Sequence, residues 1–391
     1  MSFGRQMLEH WLLDPQITYL NHGTVGATPR RVLEAQQAIR NDIEQQPSRY
    51  LFRELYKYYT APGFEKTRLR AVADIMAGFV GAKGDDLVFV NNATTGVNAI
   101  LRSLDFQKDD EILITDHEYL AVANVATFIA RERGARVNTV TLPYPVYDPS
   151  AIGDALANAL TPKTRIIVID HITSASAIIL PLAEIAKHCR KKGIPVLADG
   201  AHAPGMLPLD IPSLDVDWYV GTFHKWAFAP RSCGFLWAAP EHQKSLHPTV
   251  ISLNLGLGFT DEFDWVGTCD PSAYIAAPEG IAFLCEMGVE AVREYNHNLA
   301  WEAARMLTER FGTELYTDEQ MVGAMATFPL PERWGKTQQD ADALRDTLLF
   351  EDKIEAQIHA WGERLFLRIS AQIYNDMSDI EHLATALETR T

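Results

Sequence analysis

The sequence predicts an α/β protein: a large domain on a mostly parallel sheet with helices on both faces, and a smaller α+β domain at the C-terminus. Two observations carry this. From about residue 65 to 240, short β-branched or apolar runs alternate with stretches of helical spacing, which means right-handed crossovers between parallel strands. Beyond residue 270 the pattern changes to longer amphipathic helices and then short strands.

In order, the strand candidates are LVFV (87–90), EILIT (111–115), RVNTVTL (136–142), RIIVID (165–170), IPVLA (194–198), DWYVG (217–221) and CGFLWA (233–238). TTGVNAILRSL, LAVANVATFIARERG and LAEIAKHCRKKG between them have helical spacing, the last two stopping at Gly134 and Gly193. In the C-terminal part, AYIAAPEGIAFLCEMGVEAVREYNHNLAWEAARMLTERF reads as helix, and VGAMATFPL and RLFLRIS as strands. The expected division is an N-terminal arm over 1–15 packing with the small domain, a large domain over 16–265 and a small domain over 266–391.

Composition narrows the function. With 391 residues, 47% of them hydrophobic and 22% charged, the chain has the make-up of a globular protein. A net charge of −16 without a run of basic residues argues against nucleic acid or anionic membrane as a partner. The N-terminal MSFGRQMLEHWLL has neither a signal-peptide nor a membrane-span pattern, so a cytoplasmic protein is expected. Cys189, Cys233, Cys269 and Cys285 form no C-x-x-C pair and read as reduced, mostly structural thiols.

In a parallel sheet of this kind ligands bind at the carboxyl ends of the strands. Five strand ends stand out. NNATTG places Thr94 and Thr95 at a helix N-terminus, either as an anion cradle or as ordinary caps. DGAHAPG places Asp199 at the mouth of a buried strand, where a carboxylate needs a compensating partner, with His202 three residues on. DHEYLA gathers Asp116, His117, Glu118 and Tyr119, and HITSASA gathers His171, Thr173, Ser174 and Ser176. Adjacent residues converge poorly on one ion and no H-E-x-x-H spacing occurs, so no metal is expected. GLGF (256–259) lacks the third glycine of a dinucleotide fingerprint.

The fifth strand end, DWYVGTFHKWA, delivers Lys225 among aromatic residues. Either its stem lies on the apolar surface with the ammonium in water, or the amine has a chemical task. An anion cradle, a lone carboxylate, an aromatic and a lysine at neighbouring strand ends are together what pyridoxal phosphate requires for its phosphate, ring nitrogen, ring face and aldehyde.

TFHK (222–225), DGAH (199–202) and NATT (92–95) resemble the class V aminotransferase group of fold-type I pyridoxal-phosphate enzymes. YLNHGTVGATP, DHEY, WVGTCDPSAY and FLRISAQIYN are most similar to its isopenicillin N epimerase-like branch, whose relatives include cysteine desulfurases and C–S lyases. The resemblance implies that Lys225 condenses with the cofactor aldehyde and then shuttles the substrate α-proton, that Asp199 pairs with the ring nitrogen, and that Tyr119 stacks on the ring. It assigns His202 to the ring hydroxyl, and Thr94, Thr95, Thr222 and His224 to the phosphate. Thr268 would reach that phosphate from the partner subunit of a homodimer whose active sites lie at the interface. Arg368 would grip the carboxylate of an amino-acid substrate, with Asn21, His22 and Gly23 bordering the same pocket. Ser174 stands where desulfurases carry an asparagine near the cofactor. The stretch IEAQIHAWGER (354–364) has no cysteine for persulfide chemistry. The expected activity is amino-acid epimerisation or racemisation, with C–S lyase and transaminase as alternatives and a non-catalytic cofactor-binding regulator as the alternative of another class. His22, Tyr119 and Tyr274 are candidate second acids.

Overall fold

The computed structural model describes residues 2–56 and 66–390. Its largest sheet is formed by β2 (Leu87–Val90), β3 (Glu111–Thr115), β4 (Arg136–Val140), β5 (Thr164–Asp170), β6 (Val196–Gly200), β7 (Trp218–Thr222) and β8 (Gly234–Ala238). The smaller elements are β9 (Met325–Pro329), β11 (Gln357–Trp361) and β12 (Arg364–Ser370) in a second sheet, and a two-stranded ladder of β1 (Thr18–Tyr19) with β10 (Ile354–Glu355).

The large sheet has the order β2-β8-β7-β6-β5-β3-β4, and only β8 runs against its neighbours. Alternation along the strands explains why both faces are covered. Val88, Ile112, Ile114, Val168, Leu197, Trp218 and Val220 join a core with the helices Ala93–Ser103 and Leu120–Arg133. Their strand neighbours Leu87, Phe89, Leu113, Ile167, Ala198 and Tyr219 face the opposite core, with helices Arg68–Phe79, Ser150–Ala159 and Leu182–Lys191. Gly134 closes its helix in the left-handed region at φ 72°.

Two strand ends differ from expectation. β4 stops at Val140 because the Leu142 backbone N–H leaves the ladder to bond the Asp116 carboxylate at 3.0 Å. β6 runs on to Gly200, because Asp199 and Gly200 stay in register with Val220 and Gly221 of β7. Asp199 is therefore held inside the ladder.

Helices Ser272–Ile275 and Ala277–Met287 pack on Arg30–Gln45 and Arg68–Phe79 beside the large sheet. The second core begins with helix Val289–Phe311, which covers the antiparallel sheet β11-β12-β9 together with Gln338–Phe350 and Met377–Glu388. The change of packing partner thus falls near Gly288, later than the expected boundary at 265/266. The N-terminal segment spans both units: Met7 and Trp11 pack with Phe228, Phe283 and Tyr374, and β1 then pairs in parallel with β10. Among the described residues no helix is long and apolar enough to cross a membrane.

Leu367, in the middle strand of the small sheet, has no exposed surface. Leu367→Ala is expected to cost about 2–5 kcal/mol, read as a fall in the urea unfolding midpoint.

Candidate active site

The carboxyl ends of β5, β6 and β7 open into a cavity of about 310 Å³. Lys225 reaches it three residues past β7, and its backbone is fixed from behind by the N-terminal segment. His22, fully buried, places Nε2 3.0 Å from the Lys225 carbonyl oxygen and Nδ1 2.8 Å from the Tyr374 hydroxyl. Burial pushes the His22 imidazole down to about 4, so the ring is neutral. The carbonyl can only accept, so Nε2 carries the proton and Nδ1 accepts from Tyr374. Gly26 completes the clamp: its φ is +69°, and a Cβ there would lie 2.0 Å from the His224 carbonyl oxygen.

Burial also pushes the Lys225 amine down, and Arg368 adds to it; Asp199 and Asp170 oppose, and the balance is about 8. Its Nζ lies 3.3 Å from His202 Nε2. Burial, reinforced by Lys225 and Arg368, holds His202 well below the ordinary histidine range. Trp226 Nε1 donates to His202 Nδ1 over a long 3.5 Å, which leaves Nε2 of the neutral ring facing the Lys225 amine.

Asp199 is buried and accepts the Ala201 N–H at 2.9 Å. Asp170, its register partner in β5, is buried too, and Glu118, after β3, turns its Oε2 away from solvent. The three carboxylates offer oxygens within 4.8 Å of one another, a separation at which two unit charges repel by about 3.5 kcal/mol at an effective dielectric constant of about 20. Burial first, then mutual repulsion, drives Glu118 and Asp170 well above the ordinary carboxyl range, and burial raises Asp199 as well.

At the end of β2, Asn92 caps the helix Ala93–Ser103 by accepting the Thr95 N–H at 2.9 Å and the Thr95 hydroxyl at 3.1 Å. Neither threonine is the cap. Ala93 and Thr94, whose backbone N–H groups are the first of the helix, line the cavity at the positive end of the helix dipole. Thr222 donates to the Ala201 carbonyl at 2.8 Å, and His224 is pushed down to about 4 by burial, with Nδ1 3.2 Å from the Cys233 carbonyl.

Arg368, on β12, is 3% exposed. It donates to the Ser174 carbonyl at 2.6 Å, to Thr24 Oγ1 at 2.7 Å and to Asn21 Oδ1 at 3.2 Å, and its Nε has no partner. Among the described residues no carboxylate pairs with it, and burial lowers its guanidinium to about 10. A buried cation held only by neutral oxygens is a site for an anion.

Gly23, Thr94, Tyr119, Ser174, Asp199, His202, Thr222, His224, Lys225 and Arg368 thus surround one cavity. Asn21 stands behind Arg368, Thr95 behind the cap, and His22 behind Lys225 with both ring nitrogens engaged. Thr268 is exposed and away from the wall, and Tyr274 stacks on Phe89 with its hydroxyl on Asn91. Ser174 spends its carbonyl on Arg368. Asn92, Thr24, Asp170 and Gln357 also line the cavity and were not anticipated. Asp170 carried a signal, since it ends RIIVID much as Asp199 follows IPVLA.

A lysine amine of lowered basicity, a buried carboxylate at the next strand end, open helix N–H groups and an aromatic at the rim fit pyridoxal phosphate group by group, and fold and site together are those of a fold-type I enzyme dependent on that cofactor. The chain belongs to the class V aminotransferase family, whose model matches residues 18–383. It is 33% identical to isopenicillin N epimerase of Streptomyces clavuligerus, over 97% of this chain and 96% of that one. It is 28% identical to an L-cysteine desulfhydrase of Arabidopsis thaliana, over 95% and 87%. The cysteine desulfurase CsdA from Escherichia coli shares the fold, with a TM-score of 0.76 at 20% identity, over 98% of this chain and 97% of that one.

Only the uncharged amine attacks an aldehyde, so the rate at which cofactor-free protein takes up pyridoxal phosphate is expected to rise with pH and be half-maximal near pH 8, where Lys225 titrates. A free lysine would set the midpoint at about 10.4. Stopped-flow absorbance over a pH series measures it.

Proposed function

We propose that the enzyme acts at the α-carbon of an amino acid whose carboxylate sits on Arg368 and whose α-hydrogen is taken by Lys225. The observation that carries this reading is the pairing, in one cavity, of a buried arginine with no carboxylate partner among the described residues and a half-buried lysine whose amine is pushed down to about 8. Pyridoxal phosphate, when bound, supplies an aldehyde for amines and a ring that withdraws electron density from the α-carbon. Asp199 is assigned to the ring nitrogen, where its negative charge favours a protonated ring. Thr94, Thr222 and His224, with the first N–H groups of the helix, are assigned to the phosphate, Tyr119 to the ring face and His202 to the ring hydroxyl. Lys225, freed by substrate, then has its lone pair available to hold the α-proton.

Epimerisation or racemisation is the first reading: it returns a proton to the opposite face and so needs a second donor. Tyr119, 47% exposed at the cavity wall, is the side chain we assign to that part. The likeness to isopenicillin N epimerase along nearly the whole chain supports it. C–S lyase chemistry is the second reading. A thiolate leaves without a strong acid, so Lys225 would suffice as the one base, and the likeness to an L-cysteine desulfhydrase supports it. None of the four cysteines lines the cavity, which leaves a persulfide-forming thiol without a candidate.

A homodimer is part of the proposal. Val250, Ile251, Leu253, Leu255 and Leu257 lie exposed in the segment that leads to Thr268, and a second copy covering them would carry Thr268 toward its partner's phosphate site.

Incubating the loaded enzyme with a panel of amino acids in deuterated water decides the reaction. Deuterium at the α-carbon with inversion and no keto acid is the epimerase result; keto acid with loss of a sulfur side chain is the lyase result; no exchange with any amino acid sinks the α-carbon proposal. Arg368→Ala is expected to raise KM by about 10- to 100-fold, the worth of charge-assisted hydrogen bonds to one carboxylate, in steady-state kinetics.

A further inference from the structure

The carboxyl groups of Glu118, Asp170 and Asp199 lie side by side, each with a backbone N–H to accept, and only Asp199 has no orphaned buried oxygen. It accepts a backbone N–H through Oδ1 and faces the Lys225 amine. Asp170 has an orphaned Oδ2 although the residue is 3% exposed, and Glu118 has an orphaned Oε2 while its Oε1 takes the Tyr119 N–H at 3.2 Å. The charged and titratable groups facing Asp170 are Glu118 from the loop after β3, Asp199 from β6 and Lys225 from beyond β7. One amine cannot neutralise three carboxylates, and an orphaned carboxyl oxygen in a dry site is the atom on which a proton would sit.

We propose that Asp170 and Glu118 are proton-bearing, uncharged acids that confine the site's negative charge to Asp199, the carboxylate assigned to the cofactor's ring nitrogen. They are positioning residues acting through Asp199. Were all three ionised, the excess charge would bind Lys225 as an ammonium and remove the lone pair the enzyme needs. The final clause rests on the α-carbon reading; the count of protons does not.

The test is infrared spectroscopy on the full chain, loaded with pyridoxal phosphate and cofactor-free, in H₂O and D₂O at neutral pH. The cofactor has no carboxyl group, so a protonated-carboxyl stretch reports the protein. The expected result is such a band in wild type, weakened in both Asp170→Asn and Glu118→Gln and kept in Asp199→Asn, whose affinity for pyridoxal phosphate should fall by about tenfold or more. No band at neutral pH, or one insensitive to both Asp170→Asn and Glu118→Gln, overturns the proposal. Sign follows from linkage: acids raised by folding contribute stability at low pH and lose it as pH rises from about 4 through their folded values, so cofactor-free wild type should lose stability with rising pH more steeply than Asp170→Asn. If a variant does not fold, the wild-type band and its loss at alkaline pH decide alone. The infrared result can fail while deuterium exchange succeeds, and the reverse, so the two proposals are judged separately.

Discussion

Desolvation at the carboxyl ends of β5, β6 and β7 governs the site. Lys225, Asp199, Asp170, His202 and Arg368 are all partly or wholly withdrawn from water, so the proton affinity of each is displaced from its ordinary value, and neighbouring charges add to or oppose the displacement. A lysine in water is a spectator at neutral pH. The same lysine, partly withdrawn from water and beside a second cation, is pushed down to about 8, so a larger fraction of it carries a free lone pair near neutral pH.

Keeping water out requires both cores, and the N-terminal segment joins them. It lends His22 and Gly26 to the loop that carries Lys225, and Asn21 and Thr24 to the arginine of the small sheet. The distance between the Lys225 amine and the Arg368 guanidinium is therefore set by a stretch of fewer than ten residues bonded to both. A shift of this segment would misplace both groups together, which makes it part of the catalytic geometry although few of its atoms face the cavity.

Much of this was legible in the sequence for a simple reason. Parallel strands covered on both faces read as continuous apolar runs, and polar residues directly after such runs have little to do but line the crevice; Lys225, Asp199 and His202 were found that way. Asp170 carried the same signal and was passed over, because a carboxylate one register from another looks redundant until the burial of both is known. Asn92 was hidden behind two threonines with equal capping propensity, and the choice among them depended on which side chain could reach the Thr95 N–H. Arg368 was reached by family resemblance alone, since an arginine within an apolar strand carries no local mark of what it faces.

The parallel pairing of Thr18–Tyr19 with Ile354–Glu355, and of Asn21 with Ser370, has a consequence for how the molecule is made. Residues 18–21 cannot take their places until residues 354–370 have been synthesised. The large sheet can collapse earlier around its nearby crossovers, but the amine, the guanidinium and the clamp between them come together only once β12 has been made, at the entropic cost of closing a loop that spans most of the sequence. A nascent chain truncated before Arg368 would present a finished sheet and an unfinished catalyst.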